Sequence, residues 1–295
     1  MFSSANLATA ESPNGRPRIM ASDTPADFAT LLKVIYIPGR VPLPPIKCSL
    51  IHGYAFRFLG RSKVPDFSTF SSLLRVSTNY EMLDIRAQLL ENIRDAYPEN
   101  FEGLDSSETL GENVFGEPKP HPNAVLNLFV QQNVTSALPV VYYMAVRGGL
   151  DSLMDVRLPS SATLSGQTLK SAMCGLMALR EMELGGIHGI ALALGDTTEP
   201  ACCSSMDCPS QNSKGPLEVG TTGAHWPIFD RIMGSTVGGT RIFQVLSASE
   251  IAGDTESKLC RLCVEKVQVA HTWMRKEAWA ALPEVFGLKA RRLAN

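Results

Sequence analysis

The chain has 295 residues, 44% of them hydrophobic and 19% charged, with a formal net charge of −2. That apolar content supports a packed core and excludes wholesale disorder, and the length allows two domains of ordinary size or one domain with appendages. A nearly balanced charge with no long run of Lys or Arg excludes an electrostatic nucleic-acid surface.

The N-terminus, MFSSANLATAESPNG, lacks a basic start followed by an apolar run, so no secretory signal is expected. The longest apolar stretch, Leu138–Val146, is far shorter than the ~18 residues a spanning helix needs, so no membrane partner is expected either. A cytoplasmic or nuclear location follows as an expectation. The seven cysteines then read as reduced thiols or metal ligands rather than disulfides. In that setting the Asn133-Val-Thr135 glycosylation pattern is accidental.

In chain order, Arg18–Met20 fits a short strand. Thr24-Pro25-Ala26-Asp27 is a helix start, with Thr as cap, Pro at the first helical position and an acid at the third. Phe28, Leu31, Leu32, Ile35 and Tyr36 follow on one amphipathic face, and Pro38-Gly39 stops the helix. From Gly39 to Pro65 four prolines flank an aromatic patch that fits neither period, which reads as a long inserted loop.

Phe67–Tyr97 is the best packing unit. Phe70, Leu73, Leu74 and Tyr80 form one helical set, and Leu83, Leu90, Ile93 and Tyr97 a second, with Ile85 and Leu89 beside them. The short polar break Asn79-Tyr80-Glu81-Met82 predicts two helices folded as a hairpin.

Residues 99–122 are polar and rich in Gly and Pro, a linker. Val125–Val130 predicts a short helix, and Val134–Val146 another, with Pro139 near its start or at a kink. Leu169, Ala172, Met173, Leu176, Met177 and Arg180 continue a helical period after Ser165, with Gly185-Gly186 as the stop. Residues 196–224 read as loop. Leu259–Leu282 is the strongest helix, with Leu259, Leu262, Cys263, Val267, Ala270, Trp273 and Met274 on one face and Pro283 past its end. Trp273, Trp279 and Phe286 read as core, and Phe286-Gly-Leu288 as a segment that tucks back onto the helices.

Taken together, these motifs resemble a family. The segments around Asp23-Thr-Pro-x-Asp-Phe28 and Phe70-x-x-Leu-Leu74 are similar to the later part of a BTB/POZ domain, in particular that of a large fungal set of BTB-like proteins. Pro122-Asn-Ala-Val125, Leu138-Pro-Val-Val-Tyr-Tyr143, Cys260-Arg-Leu-Cys263 and Trp279-Ala-Ala-Leu-Pro-Glu-Val-Phe-Gly-Leu288 match motifs of the helical region that follows in that set. The opening hairpin and first helix of the domain have no counterpart before Ile19, and the 39–65 loop is longer than the resemblance leads one to expect.

The resemblance implies a mainly α chain. Residues 1–98 would be a truncated BTB/POZ-like unit, all-α or with an α+β remnant, carrying the insertion at 39–65. Residues 99–122 would link it to an all-α region over 123–288, with 289–295 as a solvated tail. It also implies a non-enzymatic adaptor that binds other proteins, by self-association in a homo- or hetero-oligomer or by recruiting a ubiquitin-ligase scaffold.

No nucleophile elbow, dinucleotide fingerprint, phosphate loop or His-Glu-x-x-His is present, so no catalytic residue is assigned and no enzyme is expected. The cysteines carry the sharpest site hypothesis. Cys203 and Cys208 form one knuckle and Cys260 and Cys263 another, so four thiolates could close a tetrahedral zinc site. The alternative is that Cys263 packs on its helix face and the others are ordinary thiols, with no cofactor. A structural zinc-binding helical module is therefore the second functional reading.

Overall fold

The computed structural model describes residues 24–36, 66–94, 96–106, 114–115, 118–195, 240, 242–243 and 261–288. Among these residues the chain is mainly α, with no strand. The helices are α1 (Pro25–Tyr36), α2 (Phe67–Asn79), α3 (Leu83–Asn92), α4 (Phe101–Ser106), α5 (Pro122–Gln131), α6 (Leu138–Val146), α7 (Gly149–Leu153), α8 (Gly166–Gly195) and α9 (Arg261–Val285). The expected strand at Arg18–Met20, the loop at 39–65 and the tail at 289–295 lie outside the described residues.

The chain divides into two compact units. One comprises Met1–Tyr97, Ser107–Pro120 and Val130–Val134, the other Pro98–Ser106, His121–Phe129 and Thr135–Asn295.

In the first unit, α1 starts at the expected place. Thr24 Oγ1 accepts from the Asp27 backbone N–H at 3.2 Å, and the Thr24 N–H reaches Asp27 Oδ2 at 3.3 Å, a reciprocal cap. Asp66 caps α2 by accepting from the Thr69 N–H at 3.0 Å. Phe70, Leu73, Leu74 and Val76 of α2 are buried, and the helix ends where the polar break predicts. Glu81 adopts φ 54°, and the Met82 N–H closes the turn on Ser77 O at 2.8 Å.

The buried face of α3 and its exit is the expected one only in part: Ile93 and Tyr97 are buried, and Leu83 and Leu90 are not. Ile85, Leu89 and Ile93 are buried at i, i+4 and i+8, whereas Leu83 is 71% exposed and Leu90 is half-buried. Leu83 and Leu90 border the buried stripe on one broad apolar side, opposite Asp84, Gln88, Glu91 and Asn92, so periodicity alone does not choose which of these leucines face inward. Asp27 is buried and ion-paired with Arg75 at 2.8 Å, which ties α1 to α2. The Phe28 ring meets Tyr80 edge-on at 5.6 Å.

The stretch 99–122 is not a bare linker. Phe101 and Leu104 of α4 are buried in the second unit, and Phe115 is buried in the first against Phe67 and Phe70, at 5.2 and 5.1 Å between ring centres. Three well-spaced apolar side chains in a polar background anchor it.

In the second unit, Pro122 opens α5, and two asparagines on it staple the 153–163 connection. Asn123 Nδ2 donates to Leu153 O at 3.3 Å, and Asn127 Nδ2 donates to Ser161 O and Thr163 O, both at 2.9 Å. Pro139 sits in the first turn of α6, where its missing N–H costs nothing. Ser165 caps α8, accepting from the Thr168 N–H at 3.3 Å.

Helix α8 runs straight through Gly185-Gly186 to Gly195, so the expected stop is corrected. A Cβ at Gly186 would fall on the Met274 thioether, and one at Gly175 on the Phe286 ring. Gly175 and Gly186 let α9 and its extension approach α8 closely, so Gly186 serves packing here rather than a cap.

Candidate functional site

Helices α8 and α9 form the centre of the second unit. From α8, Ala172, Leu176, Leu179, Glu183 and Ile190 are buried; from α9, Cys263, Val267, His271, Met274, Ala278 and Leu282. Each set advances in steps of three, four or seven, the spacing of one helical stripe. The sequence places Trp273 in this stripe, but its side chain is 64% exposed, and His271 and Arg275 are buried instead. Helical register, set by Cys263 and Val267, overrides the apolar character of the tryptophan.

Pro283 lies inside α9, in its last turn, and not beyond it. The helix closes with the Leu288 N–H on Pro283 O at 2.7 Å and the Gly287 N–H on Glu284 O at 2.8 Å, with Gly287 at φ 69°. This pair of bonds, with glycine in the left-handed position, is a Schellman motif. It returns Phe286 to the core, where the ring is buried and stacks on Tyr142 at 4.9 Å, as the tuck-back reading expects.

A polar cluster lies within this core. Thr240 Oγ1 donates to Glu183 Oε2 at 3.2 Å and also accepts from the Ile242 N–H at 3.4 Å. Phe243 packs edge-on to Tyr143 at 4.8 Å and to Trp279 at 6.0 Å. Burial pushes the Tyr143 hydroxyl up to about 12; the Glu183 charge adds to the rise, while the charges of Arg147 and Arg275 oppose it. His271 is held down at about 4, first by burial and then by the charge of Arg275 one turn away. The Arg275 guanidinium stands 5.3 Å from the centre of the Phe101 ring, a cation–π contact that ties α4 to α9. Glu183, His271 and Arg275 are each 5% exposed or less, so solvent hardly reaches them.

Beside this core, with Ile190 and Met274 at its floor, the two helices leave a groove of about 490 Å³. Met182, Gly185, Gly186, Gly189 and Ile190 line its α8 side; Ala270, Trp273, Met274 and Glu277 line its α9 side. Eight of these nine residues are uncharged, so the groove offers an apolar surface with one carboxylate at its edge. The sequence hid it, because its glycines read as a helix stop and its tryptophan as core.

Of the candidate zinc ligands, Cys263 is fully buried on α9, and Cys203, Cys208 and Cys260 lie outside the described residues. Among the described residues no three His, Cys, Asp or Glu side chains converge as a metal site, and no helix is long and apolar enough to cross a membrane.

The chain matches no family model, no curated protein and no solved structure. The BTB/POZ-like resemblance therefore rests on the quoted motifs alone.

Proposed function

We propose that this chain is a non-enzymatic protein-interaction module that binds its partner through the α8–α9 groove. The observation that carries the reading is Trp273, a large aromatic side chain 64% exposed at the edge of an apolar groove. Tryptophan is enriched among the residues that dominate binding at protein interfaces, and apolar surface gathered in a concavity marks such sites. A non-catalytic reading is supported by where the proton-carrying groups lie. Tyr143, Glu183 and His271 are in the core, out of reach of a substrate, and among the described groove residues Glu277 alone carries a titratable group, with no second acid, base or nucleophile beside it. The finer form of the proposal is a BTB/POZ-like adaptor that recruits a ubiquitin-ligase scaffold or self-associates, and the motif resemblance supports it.

The test compares the full-length protein with Trp273→Ala as baits in cell extract, with mass spectrometry of what each retains. Because Trp273 is largely exposed, the substitution should leave thermal stability unchanged while a discrete partner is lost. An identical retained set for both baits would rule out the groove as the binding surface.

A further inference from the structure

We infer that the groove takes a partner segment presenting a cationic side chain, Arg or Lys, on an apolar helical body. The inference rests on the interaction reading above and names the chemistry of the partner. Trp273 and Glu277 are one helical turn apart on α9 and line the same groove. Among the described residues, Glu277 carries the one formal charge of the lining, and nothing engages its carboxylate.

An indole face attracts a cation through its ring quadrupole, and a carboxylate one turn away attracts it by charge. The other walls, Met182, Ala270, Met274 and Ile190, are apolar. They suit the methylene stem of a Lys or Arg, which packs on apolar surface while its head reaches a polar group. Two methionines also let such a surface adapt to side chains of differing shape.

The opposite partner is disfavoured on the same grounds. An acidic side chain in this groove would face Glu277 and the negative face of Trp273, and both repel it. A wholly apolar segment would partly desolvate the Glu277 carboxylate with nothing to compensate it.

The experiment uses three fluorescein-labelled amphipathic Leu/Ala helical peptides identical but for one central residue on the apolar face: Arg, Gln or Glu. Each is titrated by fluorescence anisotropy against the full-length protein, Trp273→Ala and Glu277→Lys. The Arg peptide should bind the wild type roughly tenfold more tightly than the Gln peptide, with the Glu peptide weakest. Glu277→Lys should invert the order of the Arg and Glu peptides, and Trp273→Ala should weaken all three.

Equal affinity for the Arg and Glu peptides, still lost in Trp273→Ala, would overturn the charge preference while leaving the interaction surface standing. Binding that survives Trp273→Ala, or no binding by any peptide, would overturn both.

Discussion

Leu74 is fully buried in α2, while Leu83, nine positions on, is 71% exposed at the start of α3. Leu74→Ala should therefore cost about 2–5 kcal/mol, and Leu83→Ala should stay within about 0.5 kcal/mol of the wild type. Urea denaturation of both variants checks this, and equal costs would mean that the α3 face is wrongly placed. Two buried ionisable groups add a pH dependence. Folded His271 titrates near 4 and its unfolded counterpart near 6.5, because burial and then Arg275 disfavour the charged ring. The unfolded chain binds the proton more readily, so this contribution is complete above pH 6.5 and is lost as the pH falls toward 4. At about 1.4 kcal/mol per pH unit it amounts to a few kcal/mol. The Asp27 carboxyl is raised by its burial but lowered more by hydrogen bonds from Arg75, Ser72 and Thr24, and it settles at about 2 instead of 3.8. Its stabilisation is present above 3.8 and is lost between 3.8 and 2, so that loss falls below the His271 window. His271→Leu should flatten the loss of urea resistance between pH 6.5 and 5; a slope identical to the wild type would remove His271 from this role.

At the scale of elements, capped and strongly periodic helices were legible. Thr24-Pro25 and Ser165 mark real starts, Pro139 sits where a first turn tolerates it, and the break at Asn79–Met82 separates two helices. What was not legible depends on a neighbour that the local sequence does not contain. Gly186 is required by Met274 and Gly175 by Phe286, both distant in sequence, so glycine's usual meaning as a breaker misled at 185–186. The exposure of Trp273 belongs to the same class, because the register of α9 is set by its fit to α8. The groove, the best candidate site, is made of these misread residues, and so the sequence did not reveal it. The glycines give a contrast. Gly175→Ala should destabilise by about 1–3 kcal/mol, because its methyl meets an aromatic ring held in the core. Gly185→Ala, with nothing within 4 Å of the added Cβ, should stabilise by up to about 1 kcal/mol through helix propensity. Melting temperatures moving in opposite directions would bear out this distinction, and a shared direction would contradict it.

For the whole molecule, the two compact units do not follow each other along the chain. The first is finished only by residues 107–120 and 130–134, after the second has already claimed 98–106 and 121–129. A cut near residue 98, where the sequence suggests a domain boundary, therefore removes Phe115 from its contacts with Phe67 and Phe70 and Val134 from its buried site. The fragment 1–97 should be poorly structured by heteronuclear NMR and should bind a hydrophobic dye. Well-dispersed amide resonances from that fragment would show that the later residues are not needed.

This interleaving also sets a schedule for the nascent polypeptide. Ribosomes add about 5–20 residues per second, so on the order of seconds separates the emergence of Tyr97 from that of Val134. During that interval α1, α2 and α3 have been synthesised, but Phe115, whose ring meets Phe67 and Phe70, and Val134 have not all followed. The half-made chain presents Phe67 and Phe70 to its surroundings, as a client that chaperones would shield until translation has passed Val134.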